Sequence, residues 1–360
     1  MNIRDAATNL VGICGWNTPD IYTRLAAASN PSGVVLFNQY EWEYTSIGSN
    51  PSFEQIVDYV NEREIPFYII TGESYNPTVL YDISDNRYRN IQPIVHWETF
   101  WLTRTYEYFT YTIYNLNINN MQVNNSPVID KLFISLNNKI HYHRCMLLDY
   151  ISKYDLFSFG AVSFCDWLDN DDHNNSWSNH YQFKHWSPKC LTLDSSLPGS
   201  VNWTNEIPAD YNGAFMQIVS ESQHNRCFIT EKTAKPLYFN KLFLVQGCMH
   251  FYKILDSYGF ARYDNVFDYS FDNEYDLETR TQLLLNNLVQ LRSLDFIQLS
   301  QLHQESLPRL QHNKQLLHSL ALDSNKFPNI IKELCVNNSP ALDGDTSVIN
   351  MYHKYAHVRF

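Results

Sequence analysis

The residues with the most chemistry per unit length lie in one stretch, Val219-Ser-Glu221-Ser-Gln-His-Asn-Arg-Cys-Phe228-Ile-Thr230-Glu231-Lys232-Thr-Ala-Lys235-Pro236. The apolar run 214–219 before it predicts a buried strand that delivers Glu221 at its carboxyl end. Thr230-Glu231-Lys232 then predicts the start of a helix over Thr230–Phe239. Ligands of open α/β sheets sit at the carboxyl ends of strands. A helix amino-terminus with lysines beside it suits a phosphate-bearing ligand. Glu221 and Glu231 have the chemistry to hold ribose or sugar hydroxyls. The same residues also describe a Thr N-cap followed by a favourable first-turn glutamate, with no ligand at all. Residue chemistry alone leaves both open.

The elements that must position these groups follow an α/β pattern. Ser32–Phe37 is a short apolar run. Phe53, Ile56, Val57 and Val60 recur at helical spacing after Pro51-Ser52. Ile65–Ile70 reads as a buried strand ending at Thr71-Gly72. Strand, helix and strand in this order predict a parallel sheet. Residues 116–130 are polar and turn-rich, and a linker is expected there. Beyond it, Lys131–Leu136 predicts a first strand and Tyr142–Ser152 a helix. Leu242–Val245 predicts another strand, and 276–320 carries Leu-rich helical patterns. The expected organisation is an acceptor-side domain over 1–125, a donor-binding domain over 126–330 and a tail over 331–360. The loop-rich segment 165–212 is an insertion or a substrate-facing loop.

The spacing of the central stretch resembles the donor-binding motif of family 10 glycosyltransferases, the α-1,3/4-fucosyltransferases. Ser220-Glu221-Ser222 and Phe228-Ile229-Thr230-Glu231-Lys232 stand where that family has Phe-Glu-Asn and aromatic-x-Thr-Glu-Lys, with the gap between the glutamates kept. Tyr258-Gly259-Phe260 and the Asp268…Asp272 pair continue the pattern, which is also similar to fucosyltransferase-like proteins of phages and large viruses. Phe133-Ile-Ser-Leu-Asn137-Asn138…His143-Arg144 resembles the family's strand-to-helix segment whose Arg binds the diphosphate. Ile70-Thr-Gly72-Glu73-Ser-Tyr-Asn-Pro77 resembles the turn that carries its general base. The departures are Ser222 for Asn, Phe228 for Tyr, and Gln246-Gly247-Cys248 at a turn usually rich in glycine. They bear on the nucleotide and the sugar more than on the reaction class.

The resemblance implies two Rossmann-like domains facing a cleft, the GT-B type, with C-terminal helices. It implies a nucleoside-diphosphate sugar as co-substrate, GDP-fucose being the family's usual donor, and transfer to a glycan or other hydroxyl with inversion and without a metal. Arg144 and Lys232 would neutralise the departing diphosphate, with Lys235 assisting. Glu221, Glu231, Phe228, Thr230 and Asn138 would hold the donor, and Glu73 would deprotonate the acceptor. A catalytically silent nucleotide- or glycan-binding protein and a phage DNA-modifying glycosyltransferase are the alternatives.

Other groupings carry less. Asp169-Asn170-Asp171-Asp172 contains a DxD in an Asn-rich loop, where a solvated acidic turn is expected. His141, His143, His173, His180 and His185 lack zinc-site spacing. Trp97-Glu98-Thr-Phe-Trp101 could stack a sugar, but a packed helix is expected.

Composition bounds the rest. The chain has 360 residues, 44% of them hydrophobic, which is ample for packed cores. Lys and Arg total 26 against 38 Asp and Glu, a net charge of −12, which disfavours a partner held by phosphate neutralisation, whether duplex DNA or an anionic membrane. Seven scattered cysteines without a CxxC predict free buried thiols in a reducing compartment. No run approaches the roughly 18 apolar residues of a spanning helix, so a cytoplasmic protein is expected. Oligomeric state cannot be read.

Overall fold

The structure, a computed structural model, describes residues 10–14, 31–38, 51–71, 85–93, 95–96, 102, 128–137, 140–164, 181–189, 191, 193, 210–225 and 227–322. The chain divides into two compact units, one of residues 1–104 with 320–360 and one of 105–319. The architecture is α/β with parallel sheets. The expected linker at 116–130 lies mostly outside the described residues.

The first unit contains a parallel sheet of β1 (Leu10–Cys14), β2 (Gly33–Asn38), β3 (Phe67–Thr71) and β4 (Val95–His96), paired in that order. Helix α1 (Pro51–Arg63) connects β2 to β3. It begins with Pro at its first position, where no amide hydrogen is missed. Ile56, Val57 and Val60 are buried, so the helical period of the sequence becomes a packed face.

The second unit is built on β5 (Lys131–Asn137), β6 (Gly160–Phe164), β7 (Ala214–Ser220) and β8 (Leu242–Gln246), all parallel, in the order β6-β5-β7-β8. Every residue of β7 and of β8 is buried. That explains their largely apolar runs, because a parallel sheet covered on both faces has no polar side to show. Helix α2 (Tyr142–Lys153) joins β5 to β6, and α3 (Glu231–Tyr238) joins β7 to β8. These two connections run outward in opposite directions from the central pair β5/β7. Right-handed crossovers then place α2 and α3 on opposite faces. Helices α4 (Phe251–Ser257), α5 (Leu277–Leu291) and α6 (Phe296–Leu322) follow. Gly160 allows a close approach in this sheet, since a Cβ there would overlap the Phe133 ring.

Part of the loop-rich region is tied to α2 by one carboxylate. Asp149, fully buried, accepts hydrogen bonds from the backbone N–H of Lys184 (3.1 Å), His185 (2.7 Å) and Trp186 (2.9 Å) and from the Tyr181 hydroxyl (3.2 Å). Four helices end in the same way. The residue after α1, and the second residue after α2, α3 and α4, takes a positive φ, at Glu64 (54°), Asp155 (52°), Asn240 (52°) and Gly259 (96°). The next N–H then reaches back to the helix: Ile65 to Val60 O, Leu156 to Ile151 O, Lys241 to Pro236 O and Phe260 to Leu255 O. Only one of the four is glycine, so three of these ends carry no glycine signal. Among the described residues no helix is long and apolar enough to cross a membrane.

Candidate functional site

The order β6-β5-β7-β8 reverses direction between β5 and β7, and the carboxyl ends at such a reversal form the crevice where open α/β sheets bind ligands. Asn137 ends β5 and Ser220 ends β7. Helix α2 starts just after β5. Its first-turn His143 crosses to the neighbouring strand and donates from Nε2 to the carbonyl of Glu221 (2.7 Å). Arg144, also buried, points a guanidinium nitrogen at the carbonyl of Ser220 (3.5 Å). A carbonyl can only accept, so Nε2 carries the hydrogen and His143 is the Nε2–H tautomer. Burial, with Arg144 and His224 beside it, holds the imidazole well below its ordinary pKa and therefore neutral.

Glu221 is fully buried, and both of its oxygens are engaged by α3. They accept from the Thr230 N–H (3.1 Å), the Thr230 hydroxyl (2.6 Å) and the Thr233 hydroxyl (2.5 Å). Burial raises its pKa, with Glu231 adding to the effect, while Lys232 and the threonine hydroxyls oppose it. Thr230 is the N-cap of α3, accepting from the Lys232 N–H (3.3 Å). The capping arrangement open at the level of sequence is thus present, and Glu221 supports it from the strand below. Glu221 therefore orients α3 and does not present a free carboxylate.

The lysines complete the group. Lys232 Nζ donates to Glu231 (2.6 Å), Ser222 Oγ (2.8 Å) and Thr230 Oγ1 (3.4 Å). Lys235 is buried, and burial brings its pKa down to about 8, against the pull of Glu231. Phe228 is buried beside the loop. The structure therefore brings Arg144, Glu221, Phe228, Thr230, Glu231, Lys232 and Lys235 to the β5/β7 end of one sheet. Glu73, Asn138, the Asp169–Asp172 loop and the Trp97–Trp101 segment lie outside the described residues. His141 stacks on His143 with ring centres 5.6 Å apart, and the His224 ring lies tilted against His143 at 5.1 Å. Among the described residues no group of three or more His, Cys, Asp or Glu is arranged to hold a metal ion.

Sequence reasoning misses several members. Gln246, the last residue of β8, accepts from Ser220 Oγ (2.9 Å). It donates to the carbonyl of His143 (2.9 Å) and to Thr281 Oγ1 of α5 (3.0 Å). It thereby ties β7, β8, α2 and α5 together under the crevice. Asn137 is fully buried, and its amide oxygen has no hydrogen-bond partner among the described residues. Arg280 of α5 is buried and holds the loop after β7 through the His224 carbonyl (3.1 Å). The one available signal was a polar residue closing an apolar run, which both Asn137 and Gln246 satisfy.

A cavity of about 510 Å³ lined by Lys131, Gly160, Trp186 and Lys189 lies at the opposite, amino-terminal end of β5 and β6. It shares no residue with the crevice. Comparison with protein-family models, with curated proteins and with solved structures found no match to this chain.

Proposed function

We propose that the second unit binds the diphosphate of a nucleoside-diphosphate sugar at the β5/β7 crevice, and that the chain is a metal-independent, inverting glycosyltransferase of the GT-B type. The observation that carries this reading is the convergence of Arg144, Lys232 and Lys235 on the topological switch point of a parallel sheet, with the first turns of α2 and α3 both present there. Helix amino-termini and guanidinium groups stabilise developing phosphate charge. This supports a small anion in a chain whose net charge is −12.

In this mechanism Arg144 and Lys232 bind the diphosphate oxygens and stabilise the leaving group, with Lys235 behind them. Glu231 holds Lys232 in place through their 2.6 Å contact. Glu221 positions the donor by fixing α3, and Asn138 and Phe228 border the nucleotide. Glu73 accepts the proton of the acceptor hydroxyl as it attacks the anomeric carbon from the opposite face, which inverts configuration. GDP-fucose is the proposed donor, after the resemblance of the motifs.

Thermal unfolding against GDP, UDP, ADP and their sugars tests the proposal. A bound nucleotide at about a hundred times its Kd stabilises by ~2.7 kcal/mol. Arg144→Ala and Lys232→Ala should lose that stabilisation. Glu73→Ala should keep it and lose sugar transfer. If no nucleoside diphosphate stabilises the wild-type chain, the reading fails. If one binds but no sugar is transferred or hydrolysed, the chain is a binding protein on this scaffold.

A further inference from the structure

Two thiols meet beside the crevice, and nothing in the proposed sugar transfer uses them. Cys227 lies in the loop from β7 to α3, just before Thr230, and Cys248 lies just after β8. The sheet dictates this approach. Ser220 pairs with Gln246 in register, and the Glu221 N–H donates to the Gln246 carbonyl (3.1 Å), so the two strand ends lie side by side. Thr230 then returns to the Glu221 carboxylate, which folds the loop 222–229 back over the same edge. The side chains of Cys227 and Cys248 are in hydrogen-bonding contact, and neither is in a disulfide.

The surroundings favour reaction of this pair over Cys145. The Cys227 contact lowers the Cys248 pKa, and the nearby Arg280 guanidinium acts in the same direction, against burial and Asp272. Arg280 is fixed there by the carbonyls of His224 (3.1 Å), Glu274 (2.7 Å) and Tyr275 (3.0 Å). Cys145, by contrast, is buried in α2, and burial pushes its pKa up to about 12. Thiolate character and access decide which cysteines oxidise. Cys227 is half-buried, while Cys248 is buried.

We propose that Cys227 and Cys248 form a reversible disulfide, a redox modification site that clamps the β7–α3 loop to the end of β8. A glutathione-type disulfide is the oxidant. The Cys227 thiolate attacks one of its sulfurs and expels one glutathione. The Cys248 thiolate then attacks the Cys227 sulfur of the mixed disulfide and expels the second. Two electrons pass from the pair to the oxidant, and the two protons end on the two glutathione thiols. The loop so tied carries Ser222 and leads into the Thr230 cap, so the clamp restrains the segment that presents Lys232.

The test uses the full chain equilibrated at a series of reduced-to-oxidised glutathione ratios. Free thiols are alkylated and peptides are mapped without reduction, and amide exchange is followed in parallel. The expected result is a peptide linking Cys227 to Cys248 that disappears again in reduced glutathione. Amides of 222–229 should exchange about tenfold or more slowly in the oxidised form. Cys227→Ser, at the more exposed position, should remove both the link and the slowing, and Cys248→Ser should do the same. Separate alkylation of the two thiols at every ratio would overturn the proposal. So would a Cys227 that ends bound only to glutathione or to another cysteine. None of these readouts depends on a nucleotide or a sugar, so this proposal and the glycosyltransferase reading stand or fall separately.

Discussion

The sheet of the first unit runs β1-β2-β3-β4 in chain order, whereas that of the second runs β6-β5-β7-β8. Both are parallel and both are made of short apolar strands. Among the described strands of the first sheet each new strand adds to the same edge, so no pair of connections diverges. In the second, growth reverses after β6, and the ends of β5 and β7 are left facing a gap between two diverging connections. The charged groups follow this difference. In the first unit Arg87 joins Glu54 and Asp58 on the surface, with its side chain 45% exposed. In the second, Arg144 is 3% exposed, Glu221 0% and Lys235 6%. Burying ionisable groups is costly unless each is matched by partners. A fold tolerates that cost where the groups have a task, and the crevice is where they collect.

The contrast is broken or sharpened first at Glu221. Glu221→Ala removes the acceptor of the Thr230 N–H and of two hydroxyls inside a sealed site. It should destabilise the chain by about 3–5 kcal/mol, read from urea unfolding. Glu221→Gln, which keeps one acceptor oxygen, should lose less. A loss for Glu221→Ala no larger than that of a surface substitution would remove the distinction between the two regions.

Lys241 offers the next effect. It is 1% exposed, donates to the Ala214 carbonyl and lies 5.2 Å from the Tyr211 ring centre. Burial brings its pKa down to about 7, below its value in the unfolded chain. Between that pH and about 10 the unfolded state therefore binds more protons, and stability must rise with pH. Put the other way, this contribution is lost as pH falls toward 7. The slope is at most ~1.4 kcal/mol per pH unit for one proton. In Lys241→Met this contribution should vanish, so unfolding free energies at pH 7 and pH 9 should converge relative to wild type. Equal slopes in the two proteins would show that Lys241 is not the source.

Thr230→Ala should cost about 1 kcal/mol, because the N-cap of α3 loses its bond to the Lys232 N–H. Urea midpoints at constant slope would measure it. At the small end, Arg87→Ala should shift stability by no more than about 1 kcal/mol in moderate salt, since Arg87 and Asp58 are exposed and screened and only Glu54 is part-buried.

How much of this was legible depended on the range of the interaction. Apolar runs and helical spacing located β2, β3, β5, β7 and β8 and the helices α1, α2 and α3 within a few residues. Those signals are local. β1, β6 and α4 were not anticipated, because Leu10–Cys14, Gly160–Phe164 and Phe251–Ser257 are short and their contexts carry no strong period. The positive φ at Glu64 and Asp155 escaped, because it is imposed by the turn and not by a glycine. In the site, the motif spacing pointed to Arg144, Glu221, Thr230 and Lys232. His143 and Gln246 stood in the quoted motifs, but their roles there were not read, since these are contacts across 78 and 103 residues of chain.

The sequence by itself determined the α/β class and the placement of cations at strand–helix junctions. These depend on residue type and on neighbours a few positions away. Only the tertiary structure decided that Glu221 serves α3, that His143 is a neutral Nε2–H donor, and that Cys227 and Cys248 meet. Each of these follows from the order β6-β5-β7-β8, which brings distant strand ends together. Strand order is chosen by long-range burial of both sheet faces, which no local pattern of residues encodes.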